Sequence, residues 1–290
     1  MDANLPDSRI KIPIAGALHV PDHRLISIIG GGSYGQIWLG QNVMGAYRAI
    51  KVVSRAQFHS DRPYEREFEG LQRFEPISRL HEGFVQILHV GRNDGDGYFY
   101  YVMELGDSQD EAWREDPARY SPRTLHSEIN QARRIPLDRC MVVGLALSAA
   151  LSRLHQQKLV HRDLKPANVV FVDGHPKLAD IGLVTEAGPG ATFVGTEGYV
   201  PREGPGEATA DIFALGKLLY EISTGRDCTD FPLLPEDPPE PVGHVSFAEL
   251  NEVVCKCCEA DPARRYQSAE DVRLHLSLLQ AGRSVRRLLR

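Results

Sequence analysis

Hydrophobic positions along the chain follow two different periods. In the first hundred residues, short runs rich in Ile, Val, Trp and Tyr are separated by Gly and Asn, a pattern that predicts strands. These runs are HRLISIIGGG, GQIWLGQNV, YRAIKVV, FVQILHVG and GYFYYVMEL. A charged segment, 62–74, interrupts them. It carries Phe68, Leu71 and Phe74 at a spacing of three, which predicts an amphipathic helix.

Beyond residue 106 the pattern becomes mainly helical. The acidic and polar region 107–120 indicates a surface loop or a short helix, and region 161–206 is rich in Gly and Pro with little helical period. Longer helical patterns cover 137–155, 211–224, 247–259 and 268–281. We therefore expect an α+β fold with two lobes, a small β-rich lobe and a larger, mainly helical one, joined near 104–106.

Composition narrows the class of protein. The 290 residues are 42% hydrophobic and 25% charged, as in ordinary globular proteins, and the net charge of −6 argues against a nucleic-acid partner. The longest apolar stretch, 140–151, is too short to cross a bilayer, so no membrane span is expected. Five cysteines without a secretory signal indicate reduced thiols and a cytoplasmic location. The CKCC run at 255–258 falls on a predicted helix, which favours structural cysteines over zinc ligands.

The glycine-rich run IGGGSYGQI is the first candidate binding element. Gly30, Gly32 and Gly35 are spaced as G-x-G-x-x-G, and turns without Cβ atoms let backbone N–H groups approach phosphate oxygens. A dinucleotide-binding fold would place such glycines between a strand and a helix. Here a strand-like run follows them, which favours a β-hairpin lid.

Lys51 is the second candidate. It lies in the apolar strand YRAIKVV, and an unpaired ammonium there would be costly to bury, so we expect a phosphate and a helix carboxylate beside it. Glu67 is the preferred carboxylate because Leu71, four residues on, marks an inward helix face. Glu65 and Glu69 remain alternatives.

The run HRDLKPANVVF at 161–171 decides the resemblance. Asp163 and Asn168 stand five residues apart, as in the pattern H-R-D-x-x-x-x-N of protein kinases. Together with the glycine run and Lys51, in this order, the chain resembles the eukaryotic-like (Hanks-type) Ser/Thr protein kinase family, in the manner of its bacterial members. The resemblance spans roughly residues 24–282 and implies the bilobal protein-kinase fold.

The resemblance implies roles for these residues. Asp163 would accept the proton of the substrate hydroxyl, and Lys165 would neutralise charge on the transferred phosphoryl group. Asn168 and Asp180 would hold Mg²⁺ (or Mn²⁺), while Lys51 and Glu67 would place the phosphates of ATP. Thr196 resembles the threonine that contacts the catalytic aspartate and lysine in Ser/Thr kinases. The residues implied to contact the nucleotide are Ile29, Gly30, Gly32, Gly35, Ile37, Ala49, Lys51, Met103, Glu104, Leu105 and Val170.

Further positions match the resemblance or depart from it. Glu203 and Arg265 would form an ion pair, and Asp211 would brace the catalytic loop. Ile181 replaces the usual Phe after Asp180 and is expected to weaken packing without changing the chemistry. Arg202 replaces a usual Pro and either faces the substrate or pairs with a neighbouring carboxylate. His155 is expected to be a surface or cap residue.

The regulation of the chain is a separate expectation. Arg162, before Asp163, is often associated in this family with control by a phosphate on the activation segment. Thr192 and Thr185 are the candidate phosphate acceptors, with Thr192 preferred because it lies in mid-segment. We expect modest activation by phosphorylation.

The expected function is ATP-dependent phosphoryl transfer to Ser/Thr hydroxyls of protein substrates in signalling, with autophosphorylation. A pseudokinase that binds nucleotide as a signalling scaffold is the alternative, and a small-molecule kinase is a third reading. We expect an N-terminal extension at 1–23, a kinase domain at 24–282 and a basic tail at 283–290. The lobes of that domain are expected at about 24–105 and 106–282. Dimerisation and further domains in a longer natural protein remain open.

Overall fold

The computed structural model describes residues 18–32, 35–180, 185–186, 195–286 and 288, without the side chains of residues 32, 185 and 186. The chain divides into two compact units. The first unit contains the chain up to Phe68, together with Ile87–Leu105 and Asp110–Ser121. The second contains Glu69–Gln86, Gly106–Gln109 and the chain from Pro122 onward.

The first unit is built on a five-stranded antiparallel sheet in the order β1-β2-β3-β5-β4. The strands are β1 (His23–Gly32), β2 (Gly35–Asn42), β3 (Tyr47–Ser54), β4 (Ile87–Asn93) and β5 (Tyr98–Met103). All five strand-like runs of the sequence form these strands, although β4 begins three residues after its run starts at Phe84. The predicted β-rich lobe is confirmed.

Side chains alternate between the two faces of this sheet, as the two-residue period of strands requires. One face buries a cluster of aromatic and branched residues that is covered by Leu18 and Val20, and its members are Trp38, Ile50, Val52, Tyr98, Tyr100 and Val102. The main chain of His19 is held there by the Tyr98 hydroxyl, which donates to its carbonyl at 2.8 Å. The other face carries Leu39, packed with Trp113 and Tyr120.

Helix α1 (Asp61–Leu80) is longer than the predicted segment 62–74 and contributes residues to both units. In the first unit, Tyr64 and Phe68 pack on Phe99 with ring centroids 5.1 and 5.2 Å apart. In the second unit, Phe74 meets Phe84 edge to face. The aromatic spacing that predicted the helix therefore marks its buried side.

The second unit is mainly helical. Its helices are α2 (Leu125–Ala132), α3 (Leu137–Gln156), α4 (Ala208–Thr224), α5 (Phe247–Cys257) and α6 (Ala269–Gln280). Helices α3 and α4 pack together, α3 also packs on α6, and α4 packs on α5. Two short ladders complete the unit, β6 (Leu159–Val160) with β9 (Thr185–Glu186) and β7 (Val169–Val172) with β8 (His175–Leu178).

Helix α2 differs from the sequence expectation, whereas the acidic region agrees with it. Helix α2 was not predicted, and it begins with a reciprocal cap in which Thr124 Oγ1 accepts from Ser127 N–H while Ser127 Oγ accepts from Thr124 N–H. The acidic region 107–120 forms two short 3₁₀ turns, each capped by an aspartate, Asp110 and Asp116. These acids therefore satisfy backbone N–H groups at the turn starts.

The cysteines are free thiols. Cys257 and Cys258, at the end of α5, are buried, and burial raises the pKa of the Cys258 thiol to about 12. Within the described ranges there is no group of three or more His, Cys, Asp or Glu side chains that could hold a metal ion. None of the helices in the described part of the chain is long and apolar enough to span a bilayer.

Candidate active site

The first unit places several predicted nucleotide residues on one face of its sheet. Ile37 of β2 lies opposite Lys51 of β3, and Ala49 lies opposite Met103 of β5. Lys51 and Ala49 are two residues apart and so share a face. Glu104 and Leu105 follow Met103 at the end of this segment of the unit.

The glycine-rich run forms the end of β1 and the start of β2. Gly30 pairs with Ile37, and Gly32 pairs with Gly35. A Cβ on Gly35 would lie 2.5 Å from the carbonyl oxygen of Val52, so only glycine fits the close approach of these strands. Ile29 lies at an irregularity in the β1–β2 pairing and packs toward the Leu39 cluster. The predicted β-hairpin is confirmed, and its loop residues 33–34 lie outside the described residues.

Lys51 is 5% exposed, and its ammonium lies 5.9 Å from the centre of the Tyr101 ring. The acids of α1 differ in their surroundings. Both carboxylate oxygens of Glu65 accept from Arg92 at 2.7 Å, so the pKa of Glu65 is lowered, first by this hydrogen bond. Glu69 is exposed, whereas Glu67 is half-buried on the first unit's part of the helix.

The second unit contains the loop 161–168, which the sequence predicts to be the catalytic loop, and its polar side chains meet at Asp163. One carboxylate oxygen accepts from the Thr196 hydroxyl at 2.7 Å. The other lies 2.9 Å from Lys165 Nζ and accepts from Asn168 Nδ2 at 3.0 Å. Lys165 Nζ also donates to Thr196 Oγ1 at 2.8 Å. Four residues that the sequence places in the site are thus joined in one hydrogen-bonded group.

Asp211 supports this loop from α4. Its carboxylate is 1% exposed and accepts the backbone N–H groups of His161 and Arg162, both at 2.8 Å. His155 Nε2 lies 2.8 Å from the same carboxylate. Burial would raise the pKa of Asp211, but the contacts with His155 and His161, first among them the hydrogen bond to His155, together lower it. Arg162 has a φ of 72°, a left-handed conformation that this bracing stabilises.

The expectation for His155 was wrong. Its side chain is 11% exposed and contacts Asp211 instead of capping a helix at the surface. The period of α3 did not separate an inward histidine near the helix end from a surface one, because the partner lies 56 residues away in sequence. The signal that could have indicated this role is Asp211, a buried carboxylate that accepts two backbone N–H groups and contacts His155 as a third partner.

The segment that carries Thr196 is fixed on both sides. Gly195 has a φ of 123°, and a Cβ there would lie 2.9 Å from the Arg162 carbonyl oxygen, so this position favours glycine. Glu203 pairs with Arg265, whose side chain is 1% exposed and also donates through Nε to the Glu259 carbonyl at 2.6 Å. Arg202 is exposed.

The hairpin of β7 and β8 carries Asn168 and Asp180 at its two open ends, and Val170 lies in β7. The Ala179 N–H donates to the Asn168 carbonyl at 2.8 Å, which holds these ends together. At the closed end, Asp107 accepts the N–H groups of Asp173 and Gly174 at 2.9 and 2.8 Å. Asp107 was read as part of a solvated acidic loop, and its anchoring role was missed.

Some predicted positions lie outside the described residues. These are Ile181 and Thr192. For Thr185 only the backbone is described, and it pairs with Val160 between β9 and β6.

Comparison with known proteins matches the protein kinase domain to residues 23–275. The chain belongs to the protein kinase domain family. It is 26% identical to a probable serine/threonine-protein kinase of Streptomyces coelicolor, over 91% of this chain and 40% of that protein. It is 25% identical to serine/threonine-protein kinase PknA of Corynebacterium glutamicum, over 90% of this chain and 57% of that protein. It is 30% identical to protein kinase C zeta type of rabbit, over 78% of this chain and 37% of that protein.

The expected resemblance to eukaryotic-like kinases with bacterial members is therefore confirmed, as is the bilobal kinase fold. Members of the family use ATP with a divalent metal. The chain spans 40% and 57% of the lengths of the two bacterial relatives, so what those whole proteins do is not carried over directly.

Proposed function

We propose that the chain transfers the γ-phosphoryl group of ATP to Ser/Thr hydroxyls of protein substrates, with autophosphorylation, in a signalling role. The observation that carries the proposal is the hydrogen-bonded group of Asp163, Lys165, Asn168 and Thr196. It presents a carboxylate next to an ammonium, the pair that such a transfer requires. The serine/threonine kinases among the relatives support the same conclusion.

Each member of this group has a distinct part. The Asp163 carboxylate would orient the substrate hydroxyl and accept its proton. Lys165 holds its ammonium between Asp163 and Thr196, where it would stabilise negative charge on the phosphoryl oxygens. Thr196 joins the segment 195–203 to the catalytic loop, so a protein substrate lying on that segment would be positioned relative to Asp163.

The residues present fit a hard divalent cation. Asn168 uses its amide nitrogen for the Asp163 carbonyl and carboxylate, at 2.8 and 3.0 Å, which leaves its amide oxygen as a ligand. With the carboxylate of Asp180 this makes an all-oxygen donor set, the kind that Mg²⁺ prefers, or Mn²⁺ in its place. Mg²⁺ would supply charge neutralisation for the phosphates when bound. Two protein ligands suit a site completed by phosphate and water.

The first unit supplies the phosphate-placing and adenine-contacting residues in this proposal. Lys51 would bind the phosphates, with Glu67 as its carboxylate partner. The bidentate engagement of Glu65 by Arg92 and the exposure of Glu69 support this choice. The hairpin glycines Gly30, Gly32 and Gly35 would present backbone N–H groups to phosphate. The residues proposed to contact adenine are Ile29, Ile37, Ala49, Met103, Glu104, Leu105 and Val170.

The alternatives gain no support from the structure or the relatives. A pseudokinase is usually marked by substitution of the lysine or aspartates used here, and Lys51, Asp163 and Asp180 are all present. The protein substrates, the phosphorylation of Thr192 or Thr185, and dimerisation stay predictions.

The decisive experiment measures transfer from radiolabelled ATP with Mg²⁺, using the chain alone and with a generic basic protein. We expect Asp163→Asn to lower the transfer rate by roughly 10²- to 10⁴-fold. Asp173→Asn is the matched control, since Asp173 lies at an exposed turn where asparagine accepts its φ of 51°, and it should keep the wild-type rate. Phosphoamino-acid analysis should give phosphoserine and phosphothreonine.

Nucleotide binding is measured on the same samples. ATP binding without transfer in the wild type would favour the scaffold and contradict the enzyme. Equal transfer by wild type and Asp163→Asn would also contradict it.

A further inference from the structure

The chain reverses direction after α6 and lies back on α5. The N–H groups of Gly282 and Arg283 donate to the carbonyls of Leu279 and Leu278, at 3.0 and 2.8 Å, and close the end of α6. Gly282 has a φ of 74°, and a Cβ there would meet the His244 ring at 3.0 Å. Residues 283–286, here called the docked segment, follow this turn, and Val285 within them is fully buried.

The Glu249 carboxylate binds two groups of the docked segment. Glu249 Oε1 accepts from the Ser284 hydroxyl at 2.7 Å, and Glu249 Oε2 accepts from the Val285 N–H at 3.2 Å. Arg286 lies beside both acids of this face, with Nε 3.8 Å from Glu249 and 3.6 Å from Glu252. The Ser284 side chain remains exposed, although its hydroxyl is engaged.

The contacts of Glu249 with the docked segment take the place of a capping interaction at the start of α5. Helix α5 begins at the sequence Ser246-Phe247-Ala248-Glu249, a capping-box pattern in which the glutamate ordinarily accepts the backbone N–H of the first residue. Only one half of the box is made, with Ser246 Oγ accepting from Glu249 N–H at 3.3 Å. The Glu249 carboxylate binds the docked segment instead, and on release it could turn back to the helix start. The docked and released arrangements therefore both satisfy this acid.

We propose that Ser284 is a phosphate-accepting site, and that its phosphorylation releases the docked segment from α5. The proposal rests on the proposed function for its phosphoryl donor, ATP. Ser284 Oγ attacks the γ-phosphorus, a new O–P bond forms, and the bond from the γ-phosphorus to the β–γ bridging oxygen breaks. ADP leaves, and the hydroxyl proton passes to the Asp163 carboxylate of the acting kinase domain.

A phosphate on Ser284 opposes docking in two ways. It removes the hydroxyl proton donated to Glu249 and places a charge of about −2 against that carboxylate, with Glu252 on the same face. It also competes for Arg286, whose guanidinium would otherwise balance both acids. Ser284 can be reached by a kinase when the segment is released, and the phosphate then prevents it from docking again.

The first experiment tests release without relying on catalysis. Phosphoserine is installed at position 284 in the full chain, and hydrogen exchange of the Val285 amide is followed by NMR with valine labelling. We expect exchange to become at least about tenfold faster, because a tenfold change requires only about 1.4 kcal/mol, which is less than the repulsion between like charges in contact near a protein surface. In Glu249→Gln, which keeps an oxygen acceptor but removes the charge, the acceleration should be at most about threefold. Phosphoserine at the exposed Ser60 of the first unit is the control and should change nothing.

Unchanged or slower exchange with phosphoserine 284 would overturn the release. The same acceleration in Glu249→Gln would overturn the role of that carboxylate.

The second experiment tests the acceptor. The wild type is incubated with ATP and Mg²⁺ and mapped by mass spectrometry, with Asp163→Asn and Ser284→Ala in parallel. Phosphate at Ser284 in the wild type and its absence in Asp163→Asn are expected. Transfer to a generic protein without phosphate at Ser284 would overturn the acceptor. Transfer to nothing at all would overturn the proposed function, while the exchange comparison would still decide the release.

Discussion

Replacing Asp211 with asparagine is the sharpest test of how the catalytic loop is held. The two carboxylate oxygens of Asp211 accept from two backbone N–H groups of the loop and contact His155, all at 2.8 Å. A carboxamide of the same shape has one oxygen and one NH₂ group. If its oxygen takes the place that serves His161 and His155, its NH₂ faces the Arg162 N–H, donor against donor.

The magnitude follows from that mismatch. A buried donor left without an acceptor costs about 1–3 kcal/mol, and hydrogen bonds to a charged acceptor are stronger than neutral ones. We therefore expect Asp211→Asn to lower the free energy of unfolding by about 2–4 kcal/mol. Because Arg162 is held at a positive φ by one of these bonds, Asp163 next to it should also lose its position. The transfer rate should fall by at least about tenfold at temperatures where the variant remains folded.

The assay combines urea unfolding with initial rates of phosphoryl transfer. Asp138→Asn is the matched control, an exposed aspartate in the first turn of α3, and its effect should stay within about 0.5 kcal/mol. An Asp211→Asn protein with wild-type stability and wild-type rate would refute the bracing role.

Three further predictions concern other parts of the second unit. Arg265→Met should lower the free energy of unfolding by about 1–3 kcal/mol because it removes a buried guanidinium and the hydrogen bond that its Nε donates to the Glu259 carbonyl, whereas the exposed Arg264→Met should cost at most about 0.5 kcal/mol; equal effects in urea unfolding would contradict this. Burial lowers the pKa of His81, whose Nδ1 accepts a backbone N–H, so the unfolded chain takes up a proton that the folded chain refuses and stability falls as the pH drops below about 6.5. Between pH 7.5 and 5.5 the wild type should lose more stability than His81→Gln, and an equal loss in both would be inconsistent with this reasoning. Under native conditions a thiol reagent should modify only Cys255, and all five cysteines after unfolding; fast labelling of a second thiol in the folded protein would show that the burial is misassigned.

Strands and most helices could be predicted because their patterns are local. The run YRAIKVV is rich in branched residues and forms β3, where both faces are buried from Ala49 onward, and the spacing of Phe68, Leu71 and Phe74 follows the buried side of α1. The helix that was not predicted lacks such a pattern. Helix α2 depends on a short cap more than on a long apolar stripe.

The same division applies to the site. Asp163, Lys165 and Asn168 lie within six residues, so a motif could identify them together. His155 and Asp107 could not be found in this way, because each acts on a group more than fifty residues away, Asp211 and the turn at Asp173. A histidine near a helix end and an aspartate in an acidic run are common in proteins, and only the tertiary arrangement gives them a role.

The β7–β8 hairpin has a consequence for the rate at which a metal ion binds. Asp107 fastens its closed end, and the Ala179–Asn168 hydrogen bond fastens the end from which the Asn168 and Asp180 side chains emerge. The backbone that carries the two proposed oxygen ligands would therefore need little further ordering when a metal ion binds. We expect the association rate constant of the metal ion to be set by diffusion and by loss of water from the cation. Solvent viscosity should then affect this rate constant only through diffusion. Asp107→Ala removes the two hydrogen bonds that fix the closed end of the hairpin. In this variant, metal binding should show a second, slow phase whose rate does not depend on the metal concentration.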